Sequence, residues 1–421
     1  MYNVVPASKK MTDCYDFIVI GGGPAGMMAA GRAAERGKKV ILLEKNDRLG
    51  KKLLMCATGR CNVTNTAPLQ VFIEAYGKGG NFLRTALETF DNEKLRLLLL
   101  SYDVETIVEH KGRVFPKSQK ADSVLKALET YMRDFHVTIQ SNSHVLRLKS
   151  ENNHVRWVET NHGNIFGQNV LIATGGLSYP ATGSTGDGYK LASSVGHSIC
   201  PTYPAIIAFE SEETWVKSLQ GTPIKNVNIS AYQRNKKIVE HFGEALFTHY
   251  GISGPAILDM SKRLVECLPN GFIQIYIDFK PNRSTEELDS ILINQIKRQG
   301  GKAIKACLTF FIPEKLAPVL LGLCNIEPHK KASQITTPER RKILKQLKGL
   351  HLTLLRHRPI EESIVTAGGV NLDEVDAKTM ESKLLKGLYF AGEVLDTDGR
   401  TGGFNLQAAF STGYLAGNSV D

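Results

Sequence analysis

The stretch DFIVIGGGPAGMMAAGRAAERGKKVILLEK, residues 16–45, constrains this chain more than any other. An apolar run of strand length meets a glycine turn. A helix rich in small residues follows, and then a second apolar run ending in Glu44. Strand, glycine turn, helix, strand and acid form a complete βαβ unit for binding a dinucleotide. Gly21 permits the tight turn, Gly23 lets the backbone approach a pyrophosphate, and Gly26 allows the helix to pack on the strand. Pro24 suits the first helical turn, where no N–H is needed. The helix N-terminus offers free N–H groups to phosphate, and Glu44 can accept from ribose hydroxyls.

The rest of the chain decides between NAD and FAD. LIATGG, 171–176, reads as a strand entering a second glycine turn. GLYFAGEVLDTDGRTGGFNLQAAFSTGYLAG, 387–417, reads as a strand, a glycine-rich loop and a closing helix. NAD has no use for a second glycine-rich strand end so late in the chain. FAD is longer, and the late segment can close over its ribityl chain and ring. A helix opening at Asn405, Leu406 and Gln407 would direct its positive end at the pyrimidine side of the flavin and favour negative charge on the reduced ring.

With 421 residues, 42% of them hydrophobic and 22% charged, the chain reads as a globular protein of two or three domains. It has no apolar run of membrane length and no signal-peptide shape at its N-terminus. Seven cysteines at scattered spacings suggest reduced thiols and a cytoplasmic location, with no metal site. The net charge is +10, and it is concentrated. Residues 296–348 hold twelve Lys and Arg against three Glu, nine of the ten excess charges. Such a segment either attracts phosphate or forms a solvated helix face.

Five blocks, GKKLLMCATGRCNVTN, ATGGLSYPATGSTGDGY, FTHYGISGPAIL, VTAGGV and GLYFAGEVLDTDGRTGGFNLQAAF, together resemble the BaiN/RdsA-like family of FAD-dependent oxidoreductases. The resemblance runs from residue 16 to the C-terminus. It implies an α/β fold: a Rossmann-like FAD domain of glutathione-reductase type, carrying an inserted β-rich, barrel-like module with a helical hairpin. It further implies FAD contacts at Gly21, Gly23, Gly26, Glu44, Arg60, Cys61, Asn62, Thr64, Asn65, Thr174, Gly175, Gly176, Gly392, Glu393, Gly402, Gly403, Phe404, Asn405, Leu406 and Gln407. Pro24, Ala25, Lys45, Lys52, Gly59, Ala173 and Asp396 flank these motifs and join the expected contacts. Val145 resembles the strand residue whose backbone meets adenine in related flavoproteins.

Cys56 and Cys61 stand at a spacing close to that of a flavin disulfide reductase. Such an enzyme also needs a second GxGxxG unit for NAD(P)H and a C-terminal His–Glu pair. Residues 177–386 hold no strand–GxGxxG–helix, and no histidine follows His357. The pair therefore reads as a coincidence of spacing, with Cys61 near the flavin and no disulfide required.

The FAD domain is expected over residues 1–198 and 355–421, with the insert at 199–354. Alternating or β-branched runs mark its β-rich part, 199–283 and 349–354. A basic helical hairpin is expected at 284–348, its first helix capped by Ser284 or Thr285 and its last opening at Thr337. The insert is expected to cover the flavin. His249, Tyr179 and Cys61 are the candidates for proton transfer or for walling the ring.

Three activities attach to the resembled family: reduction of a uridine C=C bond in large-subunit ribosomal RNA, reduction of a steroid enone, and oxidation of a small amine of the aminoacetone type. With no NAD(P)H fold, that reductant would visit the flavin pocket transiently. The basic segment favours ribosomal RNA over a small-molecule substrate, with Arg340, Arg341, Lys342, Lys345 and Lys348 as docking residues.

Overall fold

The computed structural model describes residues 14–421. The N-terminal stretch read above for a leader lies largely outside them. The chain divides into two compact units: residues up to Tyr203 with Val365–Asp421, and Pro204–Ile364.

The first unit is built on a seven-stranded sheet. Its parallel core runs Thr138–Gln140, Val40–Leu43, Tyr15–Ile20 and Gly163–Ile172. The last of these is long enough to serve two partners. Its second half pairs in parallel with Leu388–Phe390, and its first half pairs antiparallel with His154–Thr160, beyond which lies Val145–Glu151. Phe17, Ile18, Val19, Leu42, Leu171 and Ile172 are fully buried or nearly so. Continuous apolar runs are what a parallel strand covered on both faces requires.

The first helix, Pro24–Glu35, and the closing helix, Phe404–Ser419, pack with their backbones almost touching. A Cβ on Gly413 would sit 2.2 Å from the Ala25 carbonyl oxygen, and one on Gly417 would sit 2.3 Å from that of Ala29. Position 25 faces 413 and 29 faces 417, so the helices run parallel. At about 1.5 Å per residue, the closing helix starts about 12 Å beyond the start of the first. Two helix N-termini thus point the same way, one advanced along the shared axis.

The second unit is a closed six-stranded barrel. Its order is Phe209–Ser211, Gly251–Ser253, Lys236–Phe247, Pro223–Gln233, Ile273–Asp278 and Leu350–His357, and the last strand pairs back onto the first. Alternation fills the interior: Ile229, Ala231, Ile273, Ile275, Ile277, Leu350, Leu352 and Leu354 are all fully buried. Between the last two strands come four helices, Thr285–Arg298, Ile304–Leu308, Leu316–Leu323 and Thr337–Lys348, where the sequence suggested a hairpin. Pro313 lies between the two short middle helices, a residue that cannot continue a helix interior. Ser284 caps the first helix in a reciprocal box with Glu287. The last helix opens at Thr337, as expected, and Thr336 caps it in a reciprocal box with Glu339. Pro338 follows within the first turn.

Replacing Gly413 by Val should force the first and closing helices apart and cost about 1–3 kcal/mol of stability. Chemical denaturation should show it as a lower midpoint, and an unchanged midpoint would refute this helix contact.

Candidate functional site

The glycine turn that opens the first helix is bounded on one side by packing and is open on the other. A Cβ on Gly26 would lie 1.9 Å from the Gly21 carbonyl oxygen, so only glycine fits there. A Cβ on Gly23 would meet nothing within 4 Å. The backbone there faces open space, directly before the free N–H groups of Pro24–Glu35. Ala25 is buried beneath the turn, and Ala173 joins it through its N–H to the Ile20 carbonyl.

Glu44 follows the second strand and is nearly buried. Its carboxylate accepts from the Gly22 N–H at 2.8 Å, the Asn46 N–H at 2.8 Å and Asn46 Nδ2 at 2.7 Å. These bonds fix its position and leave lone pairs for further donors. Ser143 donates its N–H to the Glu44 carbonyl, which brings the segment before Val145 alongside. Val145 opens its strand and is buried.

A second centre of organisation is Glu393. One carboxylate oxygen accepts from Ser178 Oγ at 2.9 Å and from the Thr366 N–H at 2.8 Å, and the other accepts from Lys52 Nζ at 2.6 Å. Lys52 also donates to Ser178 Oγ at 2.5 Å, and Thr366 Oγ1 accepts from the N–H of Leu177 and of Ser178. Four sequence blocks meet in this network. Ser178 and Thr366 were not singled out from the sequence, although both lie inside quoted motifs.

Other nominated side chains are likewise engaged within the protein. Lys45 pairs with Asp187 at 2.7 Å and donates to Thr185. Arg60 pairs with Glu109 and stacks over Phe115, its guanidinium carbon 4.2 Å from the ring centroid. Asn65 donates to the Gly402 and Lys111 carbonyls. Asn405 exchanges two 2.8 Å bonds with the Gly399 backbone and so closes the loop carrying Gly402 and Gly403. Phe404 is buried against Phe72 and Tyr76, and Asp396 donates its N–H to the Val370 carbonyl. Gly175, Gly176 and Gly392 stand in the turns between these segments, Gly59 lies in the loop before Arg60, and Leu406 is half-buried.

A complementary set is left open. Among the described residues of the first unit, six buried side-chain oxygens have no hydrogen-bond partner: Asn62 Oδ1, Thr64 Oγ1, Ser143 Oγ, Thr174 Oγ1, Tyr189 OH and Gln407 Oε1. Leaving a buried polar atom unpaired costs roughly 1–3 kcal/mol. Four of the six sit in the loops and helix start nominated from the sequence. Ser143 and Tyr189 were not singled out, although Tyr189 closes the block ATGGLSYPATGSTGDGY.

The loop Cys56–Gly59 is unusually strained. Ala57, Thr58 and Cys61 all have left-handed backbones, at φ 48°, 55° and 61°. Strain of this kind, about 1–3 kcal/mol per residue, concentrates at functional sites. The turn brings the two cysteines together, and the Cys61 N–H donates to the Cys56 carbonyl at 3.0 Å. Both thiols are free. Their interaction, with burial, holds the Cys61 thiol well above its ordinary pKa, and the same interaction lowers that of Cys56. Tyr179 is also left-handed, at φ 53°. His249 belongs to the second unit, exposed in a turn with its ring edge against Tyr250. Among the described residues, no cluster of His, Cys, Asp or Glu is suited to a metal ion. Among the same residues, no helix is long and apolar enough to cross a membrane.

A family model described as the HI0933-like protein Rossmann domain matches residues 15–419. The chain belongs to this family. Its members are FAD-dependent oxidoreductases, and this chain is one of them. The chain is 31% identical over 409 residues to the 3-dehydro-bile acid delta(4,6)-reductase of Clostridium scindens, covering 96% of this chain and 98% of that one. It is 30% identical over 419 residues to the ribosomal RNA dihydrouridine synthase of Haemophilus influenzae, covering 97% and 99%. Among solved structures, the 3-ketosteroid-delta4-(5alpha)-dehydrogenase of Rhodococcus jostii shares the fold, with a TM-score of 0.54 at 15% identity over 98% of both chains.

Replacing Lys52 by Met would remove the cation that pairs with Glu393. The flavoenzyme should lose about 1–3 kcal/mol of stability. Unfolding of the cofactor-free protein measures this, and an undiminished midpoint would show that the network carries no load.

Proposed function

We propose that FAD lies along the open groups of the first unit and that the enzyme uses it to reduce a carbon–carbon double bond, that of uridine in large-subunit ribosomal RNA. The adenosine end meets Glu44, Ser143 and the Val145 backbone. The pyrophosphate meets the turn at Gly23. Asn62, Thr64, Thr174 and Gln407 serve the ribityl and flavin end, where the closing helix directs its positive terminus. The unpartnered oxygens are the support for this placement, since they sit in the segments an elongated cofactor must follow. Bound there, FAD supplies hydride exchange at one carbon–nitrogen ring system. The chain's own residues bind, orient and exclude water. Cys61, buried and with a raised thiol pKa, retains its proton at neutral pH. NAD(P)H serves as a visiting reductant.

The single observation that carries the RNA reading is the surface of the helical part of the insert. Lys297, Arg298, Lys302, Lys315, Lys331, Arg341, Lys342 and Lys345 are all exposed. The ion pairs of this region instead use Lys330, Arg340 and Lys348, with Glu339, Asp289 and Asp278. Of the five nominated docking residues, Arg341, Lys342 and Lys345 are thus free to meet phosphate, while Arg340 and Lys348 hold the fold together. The dihydrouridine synthase relative supports the same substrate. Free thiols support a cytoplasmic setting. A second reading, reduction of a polycyclic enone, is favoured by the bile-acid reductase relative.

Thr64→Val and Thr174→Val should each weaken FAD binding by roughly 5- to 15-fold, the worth of one hydrogen bond. The cofactor-free protein should unfold as before, because neither hydroxyl has a partner among the described residues. Flavin titration followed by fluorescence would read the affinity, and two unaltered values would remove these groups from the site. Mass mapping of ribosomal RNA should find a dihydrouridine present in cells with this protein and absent from cells without it. An identical map in both, with reduction of a steroid enone by the pure protein, would establish the second reading.

A further inference from the structure

We propose that the outer face of the barrel is a stacking platform for a single-stranded segment of RNA, with the basic helix Thr337–Lys348 holding the adjoining phosphates; this rests on the RNA reading above. Three neighbouring strands carry aromatic rings outward. Tyr276 is opposite Ser230 on one side and His351 on the other. Tyr232 projects from the same strand as Ser230, and its ring centroid is 5.6 Å from that of Tyr276. The His351 ring centroid is 5.1 Å from Tyr276 on the opposite side. Aliphatic side chains fill the barrel interior, so these rings are not part of its core. Tyr276 remains 38% exposed. Its hydroxyl donates to Gln274 Oε1 at 3.1 Å, which orients the ring.

The charge on this face suits a polyanion. Asp278 is neutralised by Lys348 at 2.6 Å, and Glu240 by Lys237. Glu213 accepts the Thr353 N–H, at 2.8 and 3.0 Å from its two oxygens, and lies 3.8 Å from His351 Nδ1, which it can pair when that ring is protonated. The basic helix ends against the platform: a Cβ on Gly349 would lie 3.9 Å from Tyr276 Cδ1, and the Phe279 N–H donates to the Leu347 carbonyl at 3.0 Å. Lys345 and Arg341 then stand about 6 and 12 Å back along the helix, on one face. Rings that stack bases beside cations that hold the backbone are the recognised means of gripping an unpaired strand. A small-molecule substrate gives no reason for either feature on the outside of a barrel.

The test is fluorescence anisotropy of the FAD-loaded full chain with a short oligouridylate and with a duplex RNA of equal length. Tyr276→Ala should weaken oligouridylate binding roughly 5- to 100-fold, and Tyr276→Trp should keep it near the original. The duplex, whose bases cannot stack on the rings, should be indifferent to both changes. Thermal unfolding will confirm that these surface variants fold. Unchanged oligouridylate affinity in Tyr276→Ala and Tyr232→Ala, or equal loss with Trp, would overturn the platform. If ribosomal dihydrouridine nevertheless depends on the protein, the substrate reading survives and only the platform falls. Absence of both would remove the two together.

Discussion

The contact between the first and closing helices sets the frame for everything else in the FAD domain. Two glycines one turn apart bring backbone onto backbone, across 388 residues of sequence between Ala25 and Gly413. No larger residue permits that approach. Because the two helices are parallel and offset, the chain presents two positive helix ends in series. An extended cofactor with a pyrophosphate at one point and a ring further on has the matching shape. The Glu393 network then ties the loops to this frame, drawing on Lys52, Ser178 and Thr366 from three other parts of the chain.

Within the site, structure and sequence divide the nominated residues in an instructive way. Asn65, Asn405 and Lys52 stand in motifs that point to the cofactor, yet their side chains bond to the protein itself. They shape the loops. Asn62, Thr64, Thr174 and Gln407 stand in the same motifs with atoms left unpaired. A motif marks where a loop must go, but not which side chain has a partner already. The cysteine pair shows the same limit. Its spacing looked incidental by comparison with disulfide reductases, and a run of left-handed residues folds it into one turn.

The insert was legible as strands followed by helices, because alternation changes from a period of two to one near 3.6. Closure of six strands into a barrel was less so. It depends on Leu350–His357 returning, after four helices, to pair with both Ile273–Asp278 and Phe209–Ser211. The excess charge was evident from composition alone. Which cations are free was not, since Arg340 and Lys348 resemble their neighbours until Asp289 and Asp278 are placed beside them. Sequence also gave no hint of an aromatic cluster. Tyr232, Tyr276 and His351 are far apart in the chain and meet only through strand register.

What the sequence by itself determined is local chemistry: the βαβ turn and its acid, the later glycine blocks, the helix caps, the basic segment, and with them the family and its cofactor. Each depends on residues within a few positions of one another, where backbone geometry and side-chain type suffice. Tertiary structure alone decided which polar groups remain unpaired, which charges are neutralised and which rings gather on one surface. Those outcomes depend on distances between residues separated by tens to hundreds of positions, which packing and strand register settle.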